Sequence, residues 1–215
     1  MSLAVYLAVI VFAYFLGSIP FGYLTARVMG VDIRTLGSGN IGATNVFRVL
    51  GKPAGIIVLV CDGLKGWFAA AQVPAILLSL FHLTTVNEHQ LELLTIIGGI
   101  SAILGHNYTC WLRFKGGKGI ATSAGAMAAM FPSAFLVAIA VFIVALLASR
   151  YVSLGSILAA ASLPVAALLF HRSPLMIGVA FFIGALAIYK HKANIQRLIN
   201  GTENRIGKKK ENSQE

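Results

Sequence analysis

Long apolar runs restrict what this sequence can fold into more than any other feature. A helix needs about 20 apolar residues to cross a bilayer, and such runs lie at 3–26, 53–80, 91–110, 133–149, 153–170 and 174–190. Inside hydrocarbon every backbone N–H and C=O needs a partner within the chain, so spanning segments are helices or closed barrels. Because the runs are continuous and not alternating, they predict an all-α, polytopic membrane protein.

The composition agrees with the bilayer as solvent. Of the 215 residues, 58% are hydrophobic and 11% are charged, unlike an average soluble domain. Cys61 and Cys110 have neither disulfide-framework nor metal-cluster spacing, so we interpret both as packing residues. The N-terminus has no basic start and no small-residue cleavage site, so we expect a retained first helix.

The stretch from Gly116 to Ala148 predicts an additional, short helix. Its 33 residues carry no charge except Lys118, and as one helix they would be about 50 Å long, too long for one span. Phe131-Pro132 breaks it, because proline removes a backbone donor and disfavours helix in the preceding residue. The short helix at about 119–131 either crosses the bilayer or re-enters.

The distribution of charge favours crossing. With seven transmembrane helices, Arg172 is the only arginine or lysine on one side of the membrane. The other side holds the basic tail and Arg27, Arg34, Arg48, Lys52, Arg113, Lys115, Lys118 and Arg150. The positive-inside rule then places the N-terminus outside and the C-terminus in the cytoplasm. We predict a single integral-membrane domain over 1–200 and a basic cytoplasmic tail over 201–215.

The first loop on the basic side reads IRTLGSGNIGATNVFRVLGKPAG, over residues 33–55. Glycines allow positive φ and close backbone approach to a ligand, the polar side chains offer hydrogen bonds, and arginine binds anions in a bidentate way. The candidate ligands are Gly37, Ser38, Asn40, Thr44, Asn45 and Arg48. An anion-binding loop is favoured over the alternative, an ordinary polar turn with helix caps.

The second loop reads GHNYTCWLRFKGGKGIATSAGA, over residues 105–126. Gly116-Gly117-Lys118-Gly119 precedes the short helix, whose free N–H groups and dipole can face an anion beside the lysine charge. It is not a Walker A loop, because Gly119 follows the lysine, so nucleotide binding is disfavoured. His106 and Asn107 lie on the same approach, where such a pair is more often a cap or interface group than a catalyst.

Two further segments carry polar residues with a predicted role. If the last helix continues past Lys190, His191, Asn194 and Leu198 share one face, and Glu203 follows the expected C-cap Gly201. The equal alternative is an amphipathic helix in the headgroup region.

Asp62 and Lys65 lie inside an apolar run, three residues apart, and can pair on one helix face. Gly63 and Gly66 beside them predict close helix packing beneath the site.

These motifs resemble those of a known family. GSGNIGATNVFR at 37–48, GHN at 105–107 with FKGGKG at 114–119, and HKANIQRLINGTE at 191–203 are similar to the motifs of the bacterial acyl-phosphate:glycerol-3-phosphate acyltransferases, the PlsY family. The resemblance implies an enzyme of the bacterial cytoplasmic (inner) membrane. It would transfer a fatty acyl group from acyl phosphate to the 1-hydroxyl of sn-glycerol 3-phosphate, giving lysophosphatidic acid and phosphate in the first step of membrane phospholipid synthesis.

By motif position, the resemblance also implies the site residues. The catalytic group would be Ser38, Arg48, Lys118, His191 and Asn194. The substrate-binding group would be Gly37, Asn40, Thr44, Asn45, His106, Asn107, Gly116, Gly117, Gly119 and Glu203, with Glu203 ordering the basic cluster. We expect direct attack by the glycerol hydroxyl, with its proton passing to the donor phosphate or to His191, and no acylation of Ser38.

The expected partners are acyl phosphate, glycerol 3-phosphate and membrane lipid, with no nucleic acid. Ligand-type residues are too sparse for a metal site, and we expect no cofactor. A monomer is compatible with the sequence, as are transient contacts with the acyl-phosphate-producing enzyme and the next-step acyltransferase. The rival class is a transporter or channel for an anionic phosphorylated metabolite, which should show an internal repeat and polar groups in several spans.

Overall fold

The computed structural model describes residues 2–83 and 85–207, and within these ranges the secondary structure is helical, with no β-strand. They are α1 (Leu3–Ser18), α2 (Phe21–Val28), α3 (Ala43–Leu50), α4 (Lys52–Leu80), α5 (Glu88–Asn107), α6 (Ile120–Met130), α7 (Pro132–Ser149), α8 (Val152–Leu169), α9 (Pro174–Lys190) and α10 (Lys192–Ile199). The predicted all-α class is confirmed. Of the predicted tail at 201–215, residues 208–215 lie outside the described residues.

Most of the predicted apolar runs are helices of spanning length. Five are long and apolar enough to cross a membrane: Leu3–Val28, Lys52–Leu80, Glu88–Leu112, Pro132–Ser149 and Val152–Leu169. The pair α9 and α10 adds a sixth if it is one bent span. The predicted break is present, since α6 ends at Met130 and α7 begins at Pro132. The 11 residues of α6 form a shorter apolar helix, so seven crossings stay a prediction.

The helices form two compact units that divide between Phe135 and Leu136. In the first unit α4 packs on α5 and α6, and α1 packs on α5. Glycines allow this close approach: a Cβ on Gly66 would overlap the Thr122 carbonyl, and a Cβ on Gly125 would overlap the Gly63 carbonyl. Small residues are the usual contacts between helices in membranes. The close packing predicted beside Gly63 and Gly66 is thus confirmed.

Side chains from elsewhere in the first unit donate hydrogen bonds to the backbone carbonyls at the break between α1 and α2. Pro20 interrupts the helix, and the hydroxyl of Thr109 donates to the Ser18 carbonyl at 2.6 Å. The Nζ of Lys65 donates to the Ile19 carbonyl at 2.7 Å. Because unpaired carbonyls are costly away from water, these two donors allow the chain to leave the helical conformation inside the bundle.

In the second unit α8 packs on α9, and the last helix does not continue straight. A bend of 59° separates α9 from α10, so of the two equal alternatives for this segment the straight continuation of the last helix is not observed. α10 ends in a Schellman motif: Gly201 has φ +68°, its N–H donates to the Leu198 carbonyl, and the Thr202 N–H donates to the Arg197 carbonyl. The turn leads the chain back past α10 towards Glu203.

The contact at Gly66 yields a stability prediction. Gly66→Ala should lower the melting temperature in detergent by several degrees, because overpacking a tight contact costs about 1–3 kcal/mol. The matched control is Gly178→Ala in α9, where an added Cβ meets nothing within 4 Å. Alanine favours helix over glycine by about 0.8–1 kcal/mol, so the control should be neutral or slightly stabilising. Equal melting temperatures for the two variants would contradict the packing described.

Candidate active site

Asn45 organises the first loop from its centre. Its side chain is buried, with 2% of its surface exposed, and its Oδ1 accepts from the Ser38 N–H at 2.8 Å. Its Nδ2 donates to the carbonyls of Leu36 at 3.0 Å and Asn40 at 2.9 Å. Both amide N–H groups are therefore engaged by the loop itself. Asn45 shapes the loop, which differs from the direct substrate contact expected from the motif.

Glycines let the loop close around Asn45. Gly37 has φ +60° and Gly39 has φ +69°, and a Cβ on Gly37 would overlap Asn45 Oδ1. Asn40 also works within the loop, because its Oδ1 accepts from the Gly42 N–H at 2.8 Å. The remaining candidates of this loop are on its surface, where a ligand can reach them: Ser38, Thr44 and Arg48 are exposed.

The second loop folds back onto the end of α5. The Gly116 N–H donates to the Asn107 carbonyl at 3.3 Å, and the Gly117 N–H donates to the His106 carbonyl at 3.1 Å. A Cβ on Gly117 would overlap the His106 ring, and one on Gly119 would overlap the Asn107 side chain. The loop therefore packs on His106 and Asn107, and their carbonyls accept the N–H groups of Gly116 and Gly117.

An anion-binding arrangement remains at the start of α6. Gly119 caps this helix with φ +77° and no side-chain cap. The N–H groups of a helix's first turn have no partner within the helix, and they form its positive end. Half-buried Lys118 immediately precedes the cap. A cation and a helix N-terminus therefore adjoin here, as the sequence predicted.

A buried charged cluster lies beside this loop. Lys65 Nζ is 2.8 Å from Asp62 Oδ1, and both side chains are 2% exposed, which confirms the predicted pair. His106 Nδ1 lies 3.5 Å from the same carboxylate oxygen. The sequence pattern did not indicate this third member, because α4 and α5 meet only through tertiary packing.

In the second unit His191 occupies the bend between α9 and α10. It is buried, and its Nδ1 lies 2.8 Å from the Ala187 carbonyl. A carbonyl oxygen can only accept, so Nδ1 donates, and in the neutral ring the basic lone pair is on Nε2. The bend thus fixes which ring nitrogen can take a proton.

Glu203 binds three side chains in the second unit. Its Oε1 accepts from Asn194 Nδ2 at 2.7 Å and from the Ser153 hydroxyl at 2.9 Å, and its Oε2 pairs with Arg197 Nε at 2.6 Å. Burial alone would raise the pKa of Glu203, but these hydrogen bonds outweigh burial and hold the pKa below its ordinary value of 4.5. Sequence reasoning missed Ser153 and Arg197; Arg197, a cation within the third motif, was the available signal.

The lowered pKa of Glu203 predicts acid sensitivity. A carboxyl group whose pKa is lower in the folded state stabilises fully above its ordinary value of 4.5 and loses that contribution as pH falls through the lowered pKa. The melting temperature should therefore decrease on acidification below about pH 4.5, and Glu203→Gln should reduce this dependence. Parallel melting curves for wild type and Glu203→Gln across this range would contradict the role of Glu203.

Helices of spanning length joined by cationic, glycine-rich loops define an all-helical integral membrane protein. Comparisons with known proteins agree. The model of the family described as Glycerol-3-phosphate acyltransferase matches residues 7–201. Glycerol-3-phosphate acyltransferases of Geotalea daltonii and Clostridioides difficile are 46% and 45% identical to this chain. The matches cover 92% and 98% of this chain and 96% and 100% of the relatives.

Two solved structures are also similar to the chain. Both are crystal structures of PlsY, an integral membrane glycerol 3-phosphate acyltransferase, one in the glycerol 3-phosphate form and one in the lysophosphatidic acid form. Their TM-scores are 0.81 and 0.78 at 41% and 40% identity. The alignments cover 94% of this chain and 96% and 95% of those chains.

The chain belongs to the PlsY family of glycerol-3-phosphate acyltransferases. It is therefore a multi-pass membrane enzyme of phospholipid synthesis whose product is lysophosphatidic acid. The family and activity predicted from the three motifs are confirmed, and the transporter or channel alternative loses its support.

Proposed function

We propose that the enzyme takes its acyl group from an acyl phosphate and places it on the 1-hydroxyl of glycerol 3-phosphate. The observation that carries this proposal is the junction of Lys118 with the N-terminus of α6, which suits a phosphate group. Arg48 on α3 offers a second cation on an exposed loop surface. Both proposed substrates carry a phosphate, which explains a requirement for two cationic loops.

The reaction needs alignment and charge neutralisation more than a strong base. The glycerol hydroxyl oxygen attacks the acyl carbonyl carbon, the bond from that carbon to the phosphate oxygen breaks, and inorganic phosphate leaves. The hydroxyl proton passes either to the leaving phosphate or to His191 Nε2. Holding two reactants in place and stabilising developing negative charge are both large sources of rate enhancement. Ser38 binds phosphate in this scheme and forms no acyl intermediate.

By their positions in the third motif, His191 and Asn194 are the other proposed catalytic side chains. The hydrogen bond from Asn194 Nδ2 to Glu203 fixes the orientation of that amide, and the contact with Ala187 fixes the His191 tautomer. Glu203 orders Asn194 and Arg197 and need not touch a substrate. We propose that His191 and Asn194 act on the glycerol part of the acceptor.

The proposed topology has seven crossings in the bacterial cytoplasmic membrane. With α9 and α10 counted as one bent span there are six spanning helices, and the short apolar helix α6 is the seventh segment. An odd number of crossings gathers the basic loops and the C-terminus on the cytoplasmic side, with the N-terminus outside. One integral-membrane domain over 1–200 and a tail over 201–215 remain part of this proposal. The acceptor, which is water-soluble, would enter from the cytoplasm.

The two proposed phosphate ligands can be tested separately. Arg48→Ala and Lys118→Ala should each lower kcat/KM by about 10²- to 10³-fold, the usual cost of removing one group that stabilises transition-state charge. The matched control is Arg172→Ala, which removes an exposed cation from a position outside the proposed site and should retain activity. Rates near wild type in folded Arg48→Ala and Lys118→Ala would remove both residues from the site.

The donor and the chemistry can be tested with purified enzyme. Given acyl phosphate and glycerol 3-phosphate, it should release phosphate and lysophosphatidic acid in equal amounts, and a chelator should leave the rate unchanged. Acyl coenzyme A should not replace the acyl phosphate. Turnover with acyl coenzyme A alone, or an acylated Ser38 that forms and decays at the catalytic rate in quenched samples, would contradict the proposed mechanism.

A further inference from the structure

Asp62 is a buried carboxylate within α4 that the proposed acyl-transfer chemistry does not use. Only 2% of its side chain is exposed, and Lys65 Nζ lies 2.8 Å away. Ionisable residues inside spanning helices are costly and usually have a functional role. Replacing a buried ion pair with apolar residues is often neutral or stabilising, so fold stability alone is a weak explanation for this pair.

The pair makes contacts beyond its own helix in two directions. Lys65 Nζ donates to the Ile19 carbonyl at the break between α1 and α2, at 2.7 Å. Asp62 Oδ1 lies 3.5 Å from His106 Nδ1 on α5. The two charges on α4 therefore contact one irregular segment and lie beside one buried ring.

His106 in turn supports the loop that carries Lys118. Its backbone carbonyl accepts from the Gly117 N–H at 3.1 Å. Its ring lies so close to Gly117 that a Cβ there would overlap Nε2. A change in the orientation of His106 would therefore displace Gly117, which is next to Lys118 in the chain.

α4 supports the other side of the same loop through α6. The backbone of Thr122, in the first turn of α6, lies against Gly66, one turn of α4 beyond Asp62. Further along, Gly125 lies against Gly63. The loop at 116–119 thus contacts the His106 ring, which lies beside Asp62, and leads into α6, which packs on the same stretch of α4.

We propose that Asp62 is a positioning residue of the acyltransferase: through His106 it sets the loop that presents Lys118 and the α6 N-terminus to a substrate phosphate. The inference rests on the proposed function in taking Lys118 and this N-terminus as phosphate ligands. Asp62 itself touches no substrate. Its loss should therefore weaken phosphate binding and slow turnover while the helices remain assembled.

The kinetic test is a double-mutant cycle with Asp62→Asn and His106→Gln. Each variant should lower kcat/KM per folded enzyme at least tenfold, with a raised KM for one phosphate-bearing substrate. The double variant should be no worse than the poorer single variant, because both changes interrupt the same path. His89→Gln, an exposed histidine on the same helix α5, should leave the kinetics unchanged. Losses that multiply in the double variant would overturn the proposal.

A conservative variant separates positioning from folding. Asp62→Glu keeps the charge that pairs with Lys65 but moves the carboxylate by one methylene. Its melting temperature should therefore stay close to that of the wild type, while its KM is still raised. If Asp62→Asn does not fold, Asp62→Glu and His106→Gln complete the test. Wild-type kcat and KM in both would overturn the role of Asp62.

A binding measurement separates this inference from the proposed donor. Inorganic phosphate should raise the melting temperature of the wild-type enzyme in a concentration-dependent way, and its apparent Kd should rise at least fivefold in Asp62→Asn and His106→Gln. Wild type that is inactive with acyl phosphate contradicts the proposed function, and these Kd values still decide the role of Asp62. An unchanged Kd in both variants overturns that role even if the wild type is active.

Discussion

The structure depends on the rule that a chain in a bilayer can leave the helical conformation only where other groups satisfy its backbone. Buried side chains supply such partners in two irregular segments of the first unit, a loop and a helix break. Asn45 takes up three backbone groups of the first loop, and Lys65 and Thr109 cap the break after α1. Side chains therefore pair backbone groups of these segments that no helix hydrogen bond satisfies.

The same constraint shapes the loops that carry the proposed phosphate ligands. Positive φ lets Gly37 and Gly119 turn tightly against Asn45 and Asn107. The position of Lys118 follows from these contacts, because it lies between the glycines that pack on His106 and the start of α6. In the second unit Glu203 orders its neighbours, because it accepts hydrogen bonds from Asn194, Ser153 and Arg197. Preorganised charge of this kind is the main source of rate enhancement in the proposed acyl transfer from acyl phosphate.

The sequence predicted the features that depend on local pattern, and it missed those that depend on tertiary contacts. Apolar length gave the helices, proline gave the break at residues 131–132, and the spacing of Asp62 and Lys65 gave their pair. The sequence left a continued helix and a separate amphipathic helix as equal alternatives after Lys190, because no proline or glycine marks the bend at His191. The motif could not show that Asn45 shapes its own loop, or that His106 is seated on Asp62, because both depend on contacts between segments distant in the sequence.

The proposed topology places the first and second loops on the same side of the membrane, where two phosphate-bearing reactants can meet. It is tested most directly in sealed vesicles of known orientation with a membrane-impermeant thiol reagent, in a background of Cys61→Ala and Cys110→Ala. Thr35→Cys and Lys115→Cys, at exposed positions of these loops, should both react from the cytoplasmic side, and exposed Glu88→Cys from the opposite side. Reaction of Thr35→Cys and Lys115→Cys from opposite sides would contradict the account.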